Sequence, residues 1–399
     1  MQKEKKAALP RRETGIYAHI VGWGMSVPDT VMTNHDLSAI VETSDEWITT
    51  RTGIKERRIA SDRESTTTLA IRAARRALEV ADLLPRQLDL IIVATSTPEH
   101  VFPSTASLVQ DALGASNAGA FDLSAACSGF VYALDMAAQA IRTGSITHAL
   151  IIGAETMSRV LDWRDRSTCI LFGDGAGAVV LRASLEHGGV LSSVLRSDGA
   201  GAQLLAIPTH NHVALGDLKV QKMIMNGGEV FKFATRVVDE SIRQVTDQAG
   251  ITLDDVRLIV PHQANLRILD SVARKLKIDM SRFFVNLNRY GNTSAASIPI
   301  ALCEAIEQKR LNEGDYVVFV GFGGGLSWAA TCIKWGAPTL ESSRSILNTR
   351  RRQFRYLLAR WRNRILSWQR AISGFFKIFA PRRISASFRR EGKPPKAQD

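Results

Sequence analysis

Three residues of this 399-residue chain are of types that could together do covalent chemistry: Cys127 in "FDLSAACSGFVYALD", His262 in "VPHQAN" and Asn292 in "RYGNTSAAS". A thiol can ionise and attack, an imidazole can donate or accept a proton, and a carboxamide donates hydrogen bonds without adding charge. Each also has a bland explanation. Unpaired cysteine usually behaves as a small buried hydrophobe, and a lone His after a strand is more often packing or surface.

Position argues for chemistry. After "FDLSA", the residues Phe130, Val131, Leu134, Ala138 and Ile141 follow helical spacing, with Gly144 as a stop. Cys127 therefore falls at a strand-to-helix elbow, where unpaired amides and the helix dipole would favour a thiolate. His262 and Asn292 each sit at a similar elbow. "GFGGGLSW" adds Gly323, Gly324 and Gly325, which permit close backbone approach and amide donation to an oxyanion, although glycines also serve tight turns.

The elements that must hold these elbows are short β-branched runs, "DLIIVATS", "HALIIGAE", "RLIVPH" and "YVVFVGFGGG", alternating with helical patterns. Runs apolar on both faces point to a layered α/β fold with buried strands. There is also an internal echo. "DLIIVATS", a helix, "FDLSAAC" and "HALIIGAE" in the first half parallel "RLIVPHQ", a helix, "FFVNLNRYGN" and "YVVFVGFGGG" in the second. Two copies of one plan would bring loops after equivalent strands together, at the strand ends where open α/β sheets bind ligands.

Composition narrows the field. With 45% hydrophobic and 23% charged residues, the chain reads as a soluble globular protein. Cys127, Cys169, Cys303 and Cys332 show no CxxC spacing, which argues against structural zinc or a disulfide framework and fits a reducing cytoplasm. "MQKEKKAALPRRETG" lacks the apolar core of a secretory signal, and no apolar run is long enough to span a bilayer. The net charge of +12 resides in the tail: residues 337–399 hold thirteen Arg and three Lys against Glu341, Glu391 and Asp399. The first 336 residues carry 35 basic and 36 acidic side chains, so the charge implies no nucleic-acid binding by the body. In "FGDGAGAVV", Gly173, Gly175 and Gly177 have the spacing GxGxG and precede a β-branched run. That excludes a dinucleotide fingerprint and predicts a glycine-kinked strand, with no nicotinamide or flavin.

With "TSDEWITTRTGIKERR", "AACSGF", "LFGDGAGAVVL", "VPHQANLR", "YGNTSAAS" and "GFGGGLSW" in order over about residues 16 to 336, the chain resembles the β-ketoacyl-acyl carrier protein synthase III group of the thiolase superfamily. The resemblance implies a duplicated five-layer αβαβα fold, with halves over 16–186 and 187–336, and a homodimer. It implies a Cys127, His262 and Asn292 triad, an oxyanion hole from the amides of Cys127 and Gly324, and no metal or cofactor. The implied reaction moves an acyl group from coenzyme A to Cys127. A malonyl thioester on acyl carrier protein then loses carbon dioxide, and its enolate attacks the acyl-cysteine. By the same resemblance, Trp47 and Arg166 would sandwich the adenine of coenzyme A and Arg51 would meet its phosphates. Phe102 would reach across the dimer into the partner's acyl pocket, and Arg267, Arg274 and Lys275 would face the acidic carrier protein. Two positions depart from the family pattern: Lys55 replaces the usual Arg, and Gly228 the usual Asn near the pantetheine.

The pattern leaves out a basic extension, 1–15, and a tail, 337–399. In the tail, Phe354-Trp361-Trp368-Phe375 and Leu358-Ile365-Ile372-Phe379 form one aromatic-rich face amid arginines. That predicts an amphipathic helix and, over 344–380, contact with an anionic membrane surface, making the protein peripheral to the inner membrane; a coiled coil or a cover for the enzyme's own surface are the alternatives. Other functions weighed are an acyltransferase of the same fold, against which Asn292 argues by standing where a carboxylate base would, a papain-like protease, and a non-catalytic carrier-docking module.

Overall fold

The computed structural model describes residues 15–208 and 222–336. The basic extension apart from Gly15, the tail with its amphipathic pattern, and the arginines within it lie outside the described residues. In chain order the first half comprises β1 (Tyr17–Ser26), β2 (Val31–Thr33), α1 (Asn34–Ser38), α2 (Asp45–Thr52), β3 (Glu56–Arg58), α3 (Thr66–Ala81), β4 (Leu90–Ala94), α4 (Thr105–Leu113), β5 (Gly119–Leu123), α5 (Gly129–Arg142), β6 (His148–Thr156) and β7 (Asp174–Ser184). The second half comprises β8 (Gly189–Ser197), β9 (Leu205–Ala206), β10 (Ile224–Met225), α6 (Gly227–Ala249), β11 (Val256–Pro261), α7 (Leu266–Leu276), α8 (Leu287–Tyr290), α9 (Ser297–Glu307), β12 (Tyr316–Gly323) and β13 (Ser327–Lys334).

Two sheets carry the architecture, one ordered β1-β7-β6-β4-β5 and the other β11-β12-β13-β8. In the first, β4 runs parallel to both β5 and β6, while β7 is antiparallel to β6 and to the edge strand β1; in the second, β11 and β12 are parallel, while β13 is antiparallel to β12 and to the edge strand β8. The strands are apolar on both faces because helices cover both. One core joins the two sheets through α5 and α9, a second packs α3 and α4 on the outside of the first sheet, and a third packs α6 and α7 on the outside of the second. That is the five-layer αβαβα arrangement.

The echo is imperfect in one place. Where the first half has strand β5, the second has an isolated parallel bridge from Ile259 to Phe283. The Gln263 side chain explains the difference: its Nε2 donates to the Phe284 carbonyl at 3.0 Å and its Oε1 accepts from the Asn286 amide at 3.0 Å. A side chain thus supplies bonds that a strand ladder would have made. "FGDGAGAVV" is strand β7 as expected. A Cβ on Gly177 would stand 2.7 Å from Pro299 Cβ, so the glycines let α9 press onto the sheet.

Candidate active site

Cys127 lies in a tight turn, Ala126–Ser128, between β5 and α5. Ala126 adopts a left-handed φ of 45°, an uncommon conformation for a residue with a Cβ that the surrounding structure must hold in place. Ser128 gives α5 no side-chain cap, so the helix's first amides have no such partner. Against this turn presses the end of β12, where a Cβ on Gly323 would fall 2.8 Å from Cys127 Cβ and 3.1 Å from its sulfur. The Ser327 hydroxyl donates to the Gly324 carbonyl at 2.8 Å and accepts from Ser128 Oγ at 2.9 Å, tying the glycine loop to the elbow.

His262 follows β11, and its amide extends the parallel ladder by donating to Val320 O at 2.8 Å. The ring is buried, edge-on to Phe322 at 5.1 Å between centroids. Its Nδ1 lies 2.7 Å from Ser297 Oγ at the start of α9. That hydroxyl accepts from the Gln263 amide at 3.4 Å, which leaves its own proton for Nδ1. The imidazole then carries its proton on Nε2, as a hydrogen-bond donor.

Asn292 follows α8. Its backbone is held at both ends, the amide donating to Leu171 O at 2.8 Å and the carbonyl accepting from Gly173 N at 3.0 Å. Its Oδ1 accepts from the Ser294 amide at 2.8 Å, so the Nδ2 hydrogens remain as the free donors. Behind it Glu304, buried on α9, accepts from Asn286 Nδ2, Arg289 and Tyr290 OH and braces the loop.

The structure brings all three residues onto one cavity of about 430 Å³, shared with Trp47, Arg51, Arg267, Gly228 and Gly323. Burial corrects one expectation. The helix N-terminus was expected to favour a thiolate, but desolvation outweighs the Ser294 hydrogen bond that would lower the Cys127 pKa, and Glu155 adds to the rise; the thiol is pushed up to about 12. Burial moves His262 the other way, to about 3. The resting pair is therefore neutral thiol and neutral imidazole.

The remaining expected residues divide. Trp47 and Arg51 line the cavity, with the Arg51 guanidinium 4.5 Å from the indole centroid. Arg166 stands 5.1 Å from the same ring and donates to Glu42 O at 3.0 Å. A base stacked between Trp47 and Arg166 needs about 7 Å, twice a contact distance of about 3.5 Å, so Arg166 must swing outward to admit one. Phe102 is 86% exposed on the loop between β4 and α4, away from the cavity of its own chain. Arg267, Arg274 and Lys275 are all exposed on α7, and Lys275 also donates to Thr235 O and lies 3.8 Å from Asp239, both on α6. Gly324 adjoins the elbow but does not line the cavity, whereas Gly323 does. Lys55 is exposed and also outside the lining.

Sequence reasoning missed Ser297, Ser294, Glu155 and Arg57. The fully buried Arg57 donates to Asn34 Oδ1 at 2.9 Å and to Ile170 O at 2.7 Å, beside the cavity wall. The one available signal was the serine spacing in "NTSAAS", which puts a hydroxyl two and five residues after Asn292.

Comparison with known proteins identifies the site's family. Residues 121–199 match the family model described as 3-oxoacyl-[acyl-carrier-protein] synthase III, and residues 246–335 match its C-terminal part. The chain is 52% identical over 326 residues to β-ketoacyl-[acyl-carrier-protein] synthase III of Roseiflexus sp. (strain RS-1), covering 80% of this chain and 99% of that one. The chain belongs to the 3-oxoacyl-[acyl-carrier-protein] synthase III family. The synthase III of Symbiobacterium thermophilum is 53% identical over 325 residues. Among solved structures, the synthase III of Aquifex aeolicus VF5 superposes with a TM-score of 0.76 at 49% identity, and that of Thermus thermophilus with 0.77 at 46%. Each match covers 80% of this chain and 100% of the other.

Proposed function

We infer that the protein condenses an acyl-coenzyme A primer with malonyl-acyl carrier protein, releasing carbon dioxide and forming a 3-oxoacyl-acyl carrier protein that starts fatty acid or related acyl chain synthesis. The observation that carries this is one cavity lined at once by a thiol, a neutral imidazole and a carboxamide with free Nδ2 donors. The Cys127 sulfur attacks the acyl thioester while the amides of Cys127 and Gly324 hold the tetrahedral oxyanion, and coenzyme A leaves. His262 Nε2–H and Asn292 Nδ2–H then bond the malonyl thioester oxygen. Carbon dioxide departs, those two neutral donors hold the enolate, and its carbon attacks the acyl-cysteine. A carboxylate in place of Asn292 would oppose the enolate with its own charge.

Trp47, Arg51 and Arg166 take the adenine and phosphates of coenzyme A, with Arg166 rotating off its Glu42 contact. Arg267, Arg274 and Lys275, exposed together on α7, meet the acidic carrier protein. Two copies form a dimer in which the exposed Phe102 of each closes the acyl pocket of the other. No metal or cofactor is required, and the setting is the cytoplasm. Among the described residues no helix is long and apolar enough to cross a membrane. Membrane-surface contact through residues 344–380 is tested by flotation with anionic liposomes, where equal recovery of the full chain and of residues 1–336 overturns it.

Intact-protein mass spectrometry with a panel of acyl-coenzyme A thioesters tests the chemistry. A single acyl adduct on wild type and none on Cys127→Ala is expected. Failure of every chain length to acylate the wild type would overturn the coenzyme A donor.

A further inference from the structure

Glu155 carries a carboxyl group that the condensation chemistry leaves unused, and it is completely buried at the end of β6. Thr95 Oγ1 donates to it at 3.2 Å, Thr97 Oγ1 at 2.6 Å and the Ser96 amide at 3.0 and 3.1 Å, all from the segment that follows β4. A fourth donor comes from the other half of the molecule: Ser294 Oγ reaches Glu155 Oε1 at 3.0 Å. The carboxyl group therefore ties a first-half loop to the turn Ser294–Ala296 that leads into α9. A buried carboxyl group is costly without partners, so one with four of them holds its surroundings in a single arrangement.

Strand β6 is shaped to receive that turn. Gly153 and Glu155, two residues apart, lie on the same face of the strand. A Cβ on Gly153 would overlap the Ala295 carbonyl group, so the bare glycine lets the turn sit directly on the strand while Glu155 takes the Ser294 hydroxyl. Ser294 has a left-handed φ of 49°, a conformation that a residue with a Cβ keeps only where its surroundings hold it. In that conformation the Ser294 amide donates to Asn292 Oδ1 at 2.8 Å. This bond decides which end of the carboxamide is engaged, and it leaves the Nδ2 hydrogens for a ligand in the cavity. The backbone of Asn292 has its own anchors at Leu171 and Gly173, so what Glu155 and Ser294 add is control of the side chain.

We propose that Glu155, acting through Ser294, is a positioning residue for the Asn292 carboxamide and so aims the donor that meets the malonyl thioester oxygen. Ser294 Oγ donates to Oε1, and that oxygen accepts in the neutral acid as in the carboxylate, so the tether does not depend on the charge of Glu155. Burial raises the Glu155 pKa, in the direction of the neutral acid. A Gln at this position imitates that form and offers the same Oε1 acceptor. His262 is oriented by a separate hydroxyl, that of Ser297, so loss of the tether disturbs one of the two enolate donors and leaves the other in place.

This role rests on Asn292 holding the malonyl thioester. Its test is release of carbon dioxide from malonyl-acyl carrier protein by the full chain on a Cys127→Ala background, where acylation plays no part, with melting temperatures alongside. Ser294→Ala and Glu155→Ala are expected to lower kcat about 10-fold with KM nearly unchanged, and Glu155→Gln to restore most of the rate. The deciding readout is a double-mutant cycle. The Ser294→Ala loss should shrink to within about 2-fold on an Asn292→Ala background and persist at about 10-fold on a His262→Ala background, because substitutions that act through one group do not add. If Glu155→Ala does not fold, the Ser294→Ala cycle decides alone. A loss of equal size on every background shows a purely structural role and overturns the positioning, as does no loss on any background. A Cys127→Ala protein that releases no carbon dioxide overturns the condensing reading and the positioning with it, whereas release with additive losses overturns the positioning alone.

Discussion

The two halves of the molecule repeat one plan and use it differently. In the first, β5 delivers its backbone into the strained elbow at Ala126 and presents a sulfur. In the second, β11 continues through the His262 amide, and no strand follows to match β5; the Gln263 side chain does that work. The shared cavity buries both Cys127 and His262, yet burial pushes the thiol up and the imidazole down. A duplicated fold can thus host asymmetric chemistry because desolvation always favours the neutral form, and neutrality means a proton kept by sulfur and a proton refused by imidazole.

That contrast can be broken half by half. His262→Ala removes a donor of the second half and should slow condensation about 100- to 1000-fold while leaving the acyl adduct on Cys127 largely intact, as read by parallel product and mass-spectrometric assays. A loss of acylation as large as the loss of condensation would show that the halves do not divide the reaction. Ser297→Ala frees the imidazole to exchange tautomers and should cost about 10-fold in malonyl-carrier protein decarboxylation, measured on a Cys127→Ala background so that acylation plays no part.

A pH experiment sharpens the electrostatic side. The folded pKa of His262, about 3, lies below its ordinary 6.5, so between those values the unfolded chain binds a proton that the folded chain refuses. Stability conferred by the neutral ring is therefore fully present above pH 6.5 and is lost as pH falls through the window. Acid unfolding of His262→Asn should begin at lower pH than that of wild type, read by circular dichroism. The smallest effect belongs to the cavity wall at Gly228. A Cβ on Gly228 would meet nothing closer than Asn226 Oδ1 at 3.7 Å, so Gly228→Asn fits and should lower the KM for an acyl-coenzyme A a few-fold, the worth of one hydrogen bond of about 1 kcal/mol.

Much of the site could be read without coordinates because its residues interrupt regular patterns. Cys127 breaks the passage from strand to helix and His262 stands at a similar break, so periodicity marks both; Asn292 was expected after a strand as well, but it follows the helix α8, because the segment before it pairs through the Gln263 side chain instead of forming a strand. Glu155 left no such mark: it ends an apolar strand, "HALIIGAE", and nothing in its spacing says that four donors surround it. Lys275 left only half its account in the sequence: it is surface charge, as a basic residue at the end of a helix suggests, but its partners Thr235 and Asp239 come from another helix some 40 residues away in sequence.

By itself the sequence determined the strands, the elbows, the reactive residue types and the charge confined to the tail, since all of these are local patterns of side-chain volume, polarity and spacing. Only the tertiary structure decided which side chains share the cavity and which way burial moves their pKa values. Those depend on which groups are stripped of water, and the Cys127 turn is buried by β12 and by the turn before α9, segments whose proximity no local pattern encodes.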